Sequence, residues 1–245
     1  MSTTLPLAIA TLQTMAIVIV RYFATSGGFA WWTARRGIVA GPADPVRRRR
    51  QVRAEIRWSL ISAVIYGLPA GLMLAAWRFE GLTRIYTDFG LGDAIWWPVS
   101  IALYLFLHDS WFYWTHRWMH APALFARVHA VHHASKPPTA WAAMSFSPWE
   151  ALSGALVIPL LVFLIPIHIS ALAVVLTVAT VMGVTNHMGW EMFPARWVNG
   201  WFGRHIITAS HHEEHHKRYT CNYGLYFRFW DKLCGTDKGL ANFTR

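Results

Sequence analysis

The chain of 245 residues is 55% hydrophobic and only 14% charged, and its 15 tryptophans outnumber its 12 acidic residues. This composition excludes a disordered chain and a nucleic-acid-binding tail, because such segments are poor in apolar residues. A soluble globular domain carries about 25% charged residues, so a membrane protein with several helical spans is favoured. The two cysteines imply no disulfide framework and cannot form a four-cysteine zinc site.

The first half of the chain contains three predicted membrane helices. The first covers residues 5–32, and no charge precedes Arg21, so the basic region of a signal peptide is missing. The second covers residues 58–77, whose 20 uncharged residues are enough to cross a hydrocarbon core of ~30 Å. Residues 95–107 form a shorter apolar stretch that fits either a span or a buried helix. We expect this third helix to continue through His120.

A long uncharged stretch follows at residues 151–186. As a single helix its 36 residues would extend ~54 Å, which is too long for one crossing. The stretch therefore predicts a hairpin of two helices, with Pro166 near the turn and Pro159 at a kink or a boundary. The whole chain is then one domain, residues 1–245, with four to five spans.

The arginines predict the orientation of these spans and account for much of the net charge of +10. Residues 34–57 contain eight arginines, whereas residues 78–94 contain two arginines and three acids. The positive-inside rule places the first loop in the cytoplasm, and threading the spans places residues 108–150 and 187–245 on the same side. An arginine run can also bind nucleic acid, but spans on both sides favour a role in topology. We therefore predict an all-α, polytopic membrane bundle with a cytoplasmic helical cap.

Histidine is the residue in excess, and most of the 13 histidines fall in this cap. Three dense groups stand at residues 108–120, 129–133 and 211–216, and His187 stands alone. In a helix, residues spaced i, i+4 share a face, so His116 and His120 can direct two imidazoles at one point. The second and third groups each hold an i, i+3, i+4 triplet, which predicts two faces of three donors. That is too many donors for one ion, so the pattern predicts a two-metal centre. Imidazole ligands suit iron, zinc, copper and nickel, so these are the candidate ions.

Other polar residues are candidates for supporting roles. A histidine ligand needs a carboxylate or carbonyl on its second nitrogen. Asp109 lies seven residues before His116, and Glu191 lies four residues after His187, so both are candidate supports. Lone histidines usually have a structural role, and we expect such a role for His168 and His205. Three more acidic residues could support a ligand, or could instead form ion pairs with neighbouring basic residues. They are Glu213, Glu214 and Asp231.

The histidine motifs resemble those of the sterol desaturase and fatty acid hydroxylase superfamily of integral membrane enzymes. "HDSWFYWTHRWMH" at residues 108–120, "HAVHH" at 129–133 and "HHEEHH" at 211–216 are similar to its three histidine boxes. "NHMGWE" at residues 186–191 resembles its isolated histidine, and "NYGLYFRFWDKLCGT" at 222–236 resembles its C-terminal signature. Among the subfamilies, these motifs are most similar to those of sterol C5-desaturases. One position departs from the pattern, because Ser147 stands where many relatives have a histidine.

The resemblance implies a non-haem di-iron oxygenase that uses dioxygen to hydroxylate or desaturate an unactivated C–H bond of a lipid. It also implies a separate electron donor, either ferredoxin-like or cytochrome b5-like. Zinc can replace iron in purified protein, because the divalent affinity order favours zinc over Fe²⁺. The implied ligands are His116, His120, His129, His132, His133, His187, His212, His215 and His216. Two more histidines, His108 and His211, are assigned as ligands or as supports.

The lipid substrate is expected to enter from the bilayer. Candidate lipids are a sterol or hopanoid-like polycycle, a carotenoid ring, a sphingoid base and an acyl chain. The similarity of the motifs to those of C5-desaturases favours a ring-bearing isoprenoid. The predicted tunnel residues are Trp111, Phe112, Trp141, Met144, Phe146 and Trp149. Interfacial aromatic residues without a ligand role are the alternative for this set. The small basic chain favours a bacterial inner membrane, with the endoplasmic reticulum as the other location.

Two rival functions make different demands on the histidines. A metal-ion transporter needs donors along a path inside the spans, yet the apolar stretches contain only His168, which is predicted on the opposite side. A bis-histidine haem site needs imidazoles on opposite sides of a porphyrin, and neighbours on one helical face cannot supply them. The positions of the histidines therefore disfavour both rival functions relative to the oxygenase.

Overall fold

The chain is mostly helical, at 71%, in a computed structural model that describes residues 4–240. Residues 241–245 of the predicted cap lie outside the described part. The helices are α1 (Thr4–Arg35), α2 (Pro45–Ala75), α3 (Asp93–Met119), α4 (Pro122–Val128), α5 (Pro148–Leu164), α6 (Ile169–Asn186), α7 (Ala195–Val198), α8 (Trp201–His205), α9 (Ala209–Arg218) and α10 (Phe229–Leu233). Short 3₁₀ turns cover His132–Ala134 and Ala140–Met144, α2 runs on as a π-helical turn Ala76–Glu80, and the two-residue strands are β1 (Ile85–Tyr86) and β2 (Ile167–His168). The all-α prediction therefore holds except for this small strand pair.

Three helices are long and apolar enough to cross a bilayer, which supports an integral membrane protein. They are Leu5–Arg35, Pro45–Glu80 and Ile169–Asn186, judged by length and composition. The predicted third span is the first half of α3, which continues to Met119 as expected. The second half of α3 is polar, and α5 has 17 residues, about 26 Å. The predicted number of four to five full spans is therefore not confirmed.

The predicted hairpin at residues 151–186 is present. Helices α5 and α6 are separated by the segment 165–168, which contains Pro166, while Pro159 lies inside α5. Ser147 begins α5, since its Oγ accepts a hydrogen bond from the backbone N–H of Glu150, and Pro148 occupies the first helical position. The hairpin returns the chain to the end from which it started.

Contacts between distant segments define two ends of the helical bundle. At one end, β1 pairs in parallel with β2, and Trp97 Nε1 donates to Ser170 Oγ at 2.9 Å. At the other end, Gln51 Nε2 donates to Pro137 O at 2.7 Å, and Trp190 Nε1 donates to Thr33 Oγ1 at 3.0 Å. The arginine-rich loop and the histidine segments therefore share one end, as predicted. The side of the membrane that this end faces stays a prediction.

Helices α1 and α2 approach each other closely where α2 carries glycine. A Cβ at Gly71 would lie 2.5 Å from the Cα of Thr11, and a Cβ at Gly67 would lie 2.1 Å from the Cγ of Met15. Thr14 Oγ1 also donates to the carbonyl of Gly67 at 2.9 Å. Small residues of this kind let apolar helices pack backbone to backbone in a membrane. The pair forms one wall of the bundle, and Met73 of α2 packs against the core between α3, α5 and α6.

Candidate metal centre

Nine histidine side chains converge into two groups at the end of the bundle that carries the arginine-rich loop. In each group the candidate ligand atoms lie within 4.8 Å of one another. The five-histidine group is His116, His120, His129, His133 and His215, and the four-histidine group is His132, His187, His212 and His216. The members are the nine histidines that the family resemblance implies as ligands. Their coordination of metal stays a prediction.

The two groups do not follow the three sequence motifs. We predicted that each i, i+3, i+4 triplet forms one three-donor face, and this is wrong because both triplets are split. His129 and His133 join one group and His132 the other, while α9 directs His215 away from its neighbouring histidines. In α9, at 3.6 residues per turn, positions i+3 and i+4 point about 100° apart, and in the 3₁₀ turn His132–Ala134 neighbouring side chains point about 120° apart. Each triplet therefore contributes to both groups, and the i, i+4 pairs stay together.

The distances between imidazole nitrogens fit ligands around an ion. His116 Nε2 lies 3.0 Å from His129 Nε2, and His133 Nε2 lies 3.0 Å from His215 Nε2. A bond from a transition metal to an imidazole nitrogen is about 2.0–2.1 Å, so two such nitrogens at right angles are about 3.0 Å apart. In the second group, His212 Nε2 lies 2.8 Å from His187 Nε2. Both groups thus match the spacing of a first coordination sphere.

Hydrogen bonds to backbone carbonyls determine which nitrogen of several imidazoles carries the proton. The Nδ1 atoms of His116, His187 and His215 lie 2.8, 2.6 and 2.7 Å from carbonyl oxygens. Those oxygens belong to Tyr223, Gly183 and Cys221 respectively. A carbonyl only accepts, so Nδ1 donates and Nε2 of the neutral ring presents a lone pair. Lone pairs that face one another require a cation, so these residues fit metal ions.

Burial keeps the imidazoles neutral. It lowers the pKa of His187 to about 4 and holds the pKa of His212 and of His216 well below the usual value. For His212 and His216 the nearby imidazoles lower the pKa further, because a second positive charge would repel the first. Metal binding requires the neutral ring. The site therefore keeps its donors in the binding form.

Glu150 is a functional candidate that the sequence reasoning missed. Its Oε1 lies 2.9 Å from the Nδ1 of His129, and both side chains are buried. This carboxylate therefore fills the supporting role that a ligating histidine requires. A signal was available, because Glu150 is a lone carboxylate at the start of an apolar helix.

Asp109 and Glu191 do not support the histidines to which we assigned them. Asp109 Oδ1 accepts hydrogen bonds from the backbone N–H groups of Leu225 and Tyr226, at 2.9 and 2.7 Å. Glu191 Oε2 accepts from both the N–H and the hydroxyl of Ser210, at 3.1 and 2.8 Å. Backbone carbonyls take the supporting role instead. The two carboxylates position the C-terminal segment and the start of α9, so they act on the site from further away.

The two histidines of open assignment both lie outside the metal groups. His108 Nδ1 lies 2.7 Å from the hydroxyl of Tyr226. His211 Nδ1 accepts from the backbone N–H of Thr208 at 3.2 Å and completes the capping box of α9. The structure thus favours support over ligation for both. In His211 the support is specific, since it determines where α9 begins.

The other candidate acids and the lone histidines bond to partners other than the metal groups. Glu213 and Glu214 pair with Lys217 and Arg218, as the alternative reading held. His205 lies exposed on α8, bonded to its own helix.

Two further residues bond to backbone. Asp231 Oδ1 accepts from the N–H of Tyr223, and its Oδ2 accepts from the N–H of Gly224, both at 2.9 Å. His168 Nε2 bonds to Thr87 O at 2.9 Å, at the far end from the metal groups. This position matches the sequence prediction for His168 and removes it from any path to the other histidines.

An apolar cavity of about 440 Å³ lies between the bundle helices and extends to the metal groups. Five of the nine histidines line it: His116, His129, His132, His187 and His212. Of the predicted tunnel residues, Trp111, Phe112, Met144 and Phe146 line the cavity. The other two do not. Trp141 packs against the ring of Tyr22 at 5.9 Å, and Trp149 is 66% exposed.

Comparison with known proteins agrees with this geometry. The fatty acid hydroxylase family model matches residues 101–236, more than half of the chain. The chain belongs to the fatty acid hydroxylase family. This family member is 28% identical over 190 residues to a Delta(7)-sterol 5(6)-desaturase of Gibberella zeae, an alignment that covers 78% of the chain and 57% of the relative. No solved structure matches it.

Two further relatives extend the comparison. A lathosterol oxidase of Homo sapiens is 27% identical over 203 residues, which cover 80% of the chain and 64% of that protein. A C-4 methylsterol oxidase of Schizosaccharomyces pombe is 29% identical over 178 residues, which cover 68% and 57% respectively. The chain thus spans less than two thirds of the length of these relatives. All three come from eukaryotes, so they do not support the predicted bacterial inner membrane.

Proposed function

We propose that this family member is a membrane-bound non-haem di-iron oxygenase that hydroxylates or desaturates an unactivated C–H bond of a lipid. The observation that carries the proposal is the meeting of two all-imidazole groups with the end of an apolar cavity. Imidazole suits iron, and dioxygen and a lipid are the co-substrates that the named relatives' activities imply. Two bound iron ions would supply the activation of dioxygen.

The protein's own residues position these donors. The carbonyls of Tyr223, Gly183 and Cys221 fix the tautomers of three imidazoles, and Glu150 holds a fourth, His129. Preorganised ligands of this kind need little rearrangement when the metal binds. Carboxylates are absent from both groups, so the charge of the ions is balanced less than in a carboxylate-rich site.

Aromatic side chains exclude water from the reacting end of the cavity. The ring of Phe112 lies 5.0 Å from that of His116, and the ring of Phe146 lies 5.3 Å from that of His132. Trp111 Nε1 donates to Ser153 O at 3.1 Å and thereby presents its apolar face to the cavity. An apolar carbon of a lipid can therefore approach the imidazoles without intervening solvent.

The electrons would come from a separate carrier, ferredoxin-like or cytochrome b5-like. Of the nine histidines, eight are buried and His120 is half-buried, so the carrier has its shortest approach at the five-histidine group. We place this end in the cytoplasm on the basis of the arginine-rich loop. The eukaryotic relatives favour the endoplasmic reticulum over the bacterial inner membrane as the location.

The sterol relatives favour a ring-bearing isoprenoid among the candidate lipids. Expression in sterol- or carotenoid-producing hosts, followed by lipid mass spectrometry, tests this proposal. The expected product is a lipid that has gained one oxygen atom or lost two hydrogen atoms. The variants His132→Ala and His215→Ala should insert in the membrane but form no product. Full activity in both variants would refute the ligand assignment.

Metal-ion transport gains no support from the structure. A transport path needs donors along the spans. The nine histidines instead cluster at one end of the bundle, and His168 lies at the other. Oxidation of a lipid remains the function that the geometry supports best.

A further inference from the structure

A single charged side chain interrupts the first membrane helix. Arg21 is the only charged residue of α1 before Arg35. At ~1.5 Å per residue it lies about 21 Å from Arg35 and about 25 Å from Thr4, near the middle of the helix. The adjacent Tyr22 donates its hydroxyl to Trp141 O at 2.9 Å, so this part of α1 packs against the segment between the second histidine motif and α5. A charge inside the bundle is costly, so it usually pairs with another group or lines a functional cavity.

Arg21 lines the cavity and forms no ion pair with a described residue, although Glu150, which is paired with His129, lines the cavity as well. The ion pairs between residues 4 and 240 are His129–Glu150, Lys217–Glu213, Arg218–Glu214 and Arg228–Asp237. Within the same part of the chain the guanidinium makes no hydrogen bond to protein. Its electrostatic neighbours are the hydroxyls of Tyr66 and Tyr226. A half-buried guanidinium without an ion pair loses part of its hydration, and no described residue replaces it.

Tyr66 provides a second donor in the same place. Its side chain also lines the cavity, and its hydroxyl forms no hydrogen bond with any described residue. A Cβ at Gly154 would lie 2.1 Å from this hydroxyl oxygen, so the glycine leaves the space that the phenol occupies. These two polar groups line the same cavity, each without a hydrogen-bond partner among the described residues, and together they form a site for a ligand oxygen.

We propose that Arg21 and Tyr66 bind the carboxylate of the lipid that occupies the cavity. The proposal rests on the proposed function and names the substrate class of the same site: a lipid with a terminal carboxylate. A guanidinium forms two parallel hydrogen bonds with a carboxylate and balances its charge, which a neutral alcohol or ester cannot do.

The position of the site also constrains where the lipid is oxidised. Tyr226, an electrostatic neighbour of Arg21, bonds through its hydroxyl to His108. His108 precedes His116 by eight residues on α3, about 12 Å along the helix. The bound carboxylate is then on the order of 10 Å from the metal groups. Oxidation is expected at a carbon remote from the carboxylate.

A binding experiment on the full chain tests the proposal without iron or turnover. The purified protein is titrated with oleic acid and with a polycyclic carboxylic acid, each compared with its methyl ester, and tryptophan fluorescence reports binding. Trp77 and Trp111 line the cavity and serve as reporters. At least one acid should bind about 10-fold or more tighter than its ester, as expected for a charged hydrogen bond. The acid that shows this preference identifies the carbon skeleton.

Variants decide whether the preference belongs to this site. Arg21→Gln should bind acid and ester equally while keeping the ester affinity of the wild type, and Arg21→Lys should keep part of the preference. Tyr66→Phe should weaken acid binding a few-fold. Arg35→Gln, at the end of α1, is the matched control and should keep the full preference.

Two results would overturn the proposal: a wild type that binds each acid no tighter than its ester, or an unchanged preference in Arg21→Gln. Unchanged ester binding shows that a variant is folded. Should the chain oxidise no lipid in the host experiment, the acid preference would still be measurable. Conversely, a product formed without any acid preference would leave the proposed function intact and reject this site.

Discussion

The two histidine groups differ in the number of donors and in their access to solvent. The five-histidine group includes the half-buried His120, whereas all members of the four-histidine group are buried. Within the second group, His187 Nε2 lies within 3.1 Å of both His132 and His212. The five-histidine group therefore has a fifth donor, His120, on its open side, and the other group has none to spare. Loss of His120 should cost less than loss of any buried donor.

The largest effect in this comparison, similar to that of His132→Ala, is expected for His187→Ala. It leaves three imidazoles in the four-histidine group and removes the ring that contacts two of them, so one ion should be lost. Product formation should fall at least about 100-fold, since even changes to groups behind the ligands cost 10–100-fold. Metal content per chain and lipid oxidation measure both effects. His205→Ala, on an exposed histidine, is the control, and equal losses in the two variants would contradict the assignment.

A smaller loss is expected for Glu150→Gln, which weakens the support of His129 in the five-histidine group. Activity should fall by about 10–100-fold while most of the metal is retained, because the ligand itself is still present. Glu80→Gln, an exposed acid at the far end of α2, should be unaffected. Wild-type activity in Glu150→Gln would show that the Glu150–His129 pair has no role in positioning.

His120→Ala tests the spare donor directly. Four imidazoles remain in its group, so both ions should stay bound and activity should fall by about 10-fold or less. The comparison with His187→Ala is the measurement of interest. If His120→Ala loses an ion as completely as His187→Ala does, the five-histidine group has no spare donor, and the two groups do not differ in this respect.

The smallest effect is a pH dependence of the metal-free chain. Burial lowers the pKa of His187 to about 4 and that of His211 to about 3, against about 6.5 in the unfolded chain. Between these values the unfolded state binds more protons than the folded state, so acid favours unfolding. Stability is complete above about pH 6.5 and is lost progressively as pH falls below it. Thermal unfolding of chelator-treated protein should show this slope, and a midpoint independent of pH would contradict it.

Several features could be predicted because they depend on local spacing. Uncharged stretches of sufficient length predicted the long apolar helices and the hairpin around Pro166. The histidine motifs, read with the family resemblance, predicted which nine histidines come together. The arginine run predicted which loops share an end. Each of these inferences needs only the period of a helix and the distribution of charge along the chain.

Other features depend on contacts between residues far apart in the chain. Which donors from different motifs share a group follows from the packing of separate segments, which the spacing along one helix does not contain. The carbonyl that supports His116 comes from Tyr223, and the carboxylate that supports His129 comes from α5. We assigned such supports by proximity in sequence, and Asp109 and Glu191 show why that fails.

The sequence by itself determined the kinds of ligand, the apolar spans and the common end of the molecule to which both lead, because composition and periodicity act over a few turns of helix. Only the tertiary structure decided how nine imidazoles divide into five and four, which groups hold them, and that Arg21 faces the cavity without an ion pair to a described residue. These outcomes depend on the packing of separate helices, and packing brings together residues whose distance along the chain carries no information about their contact.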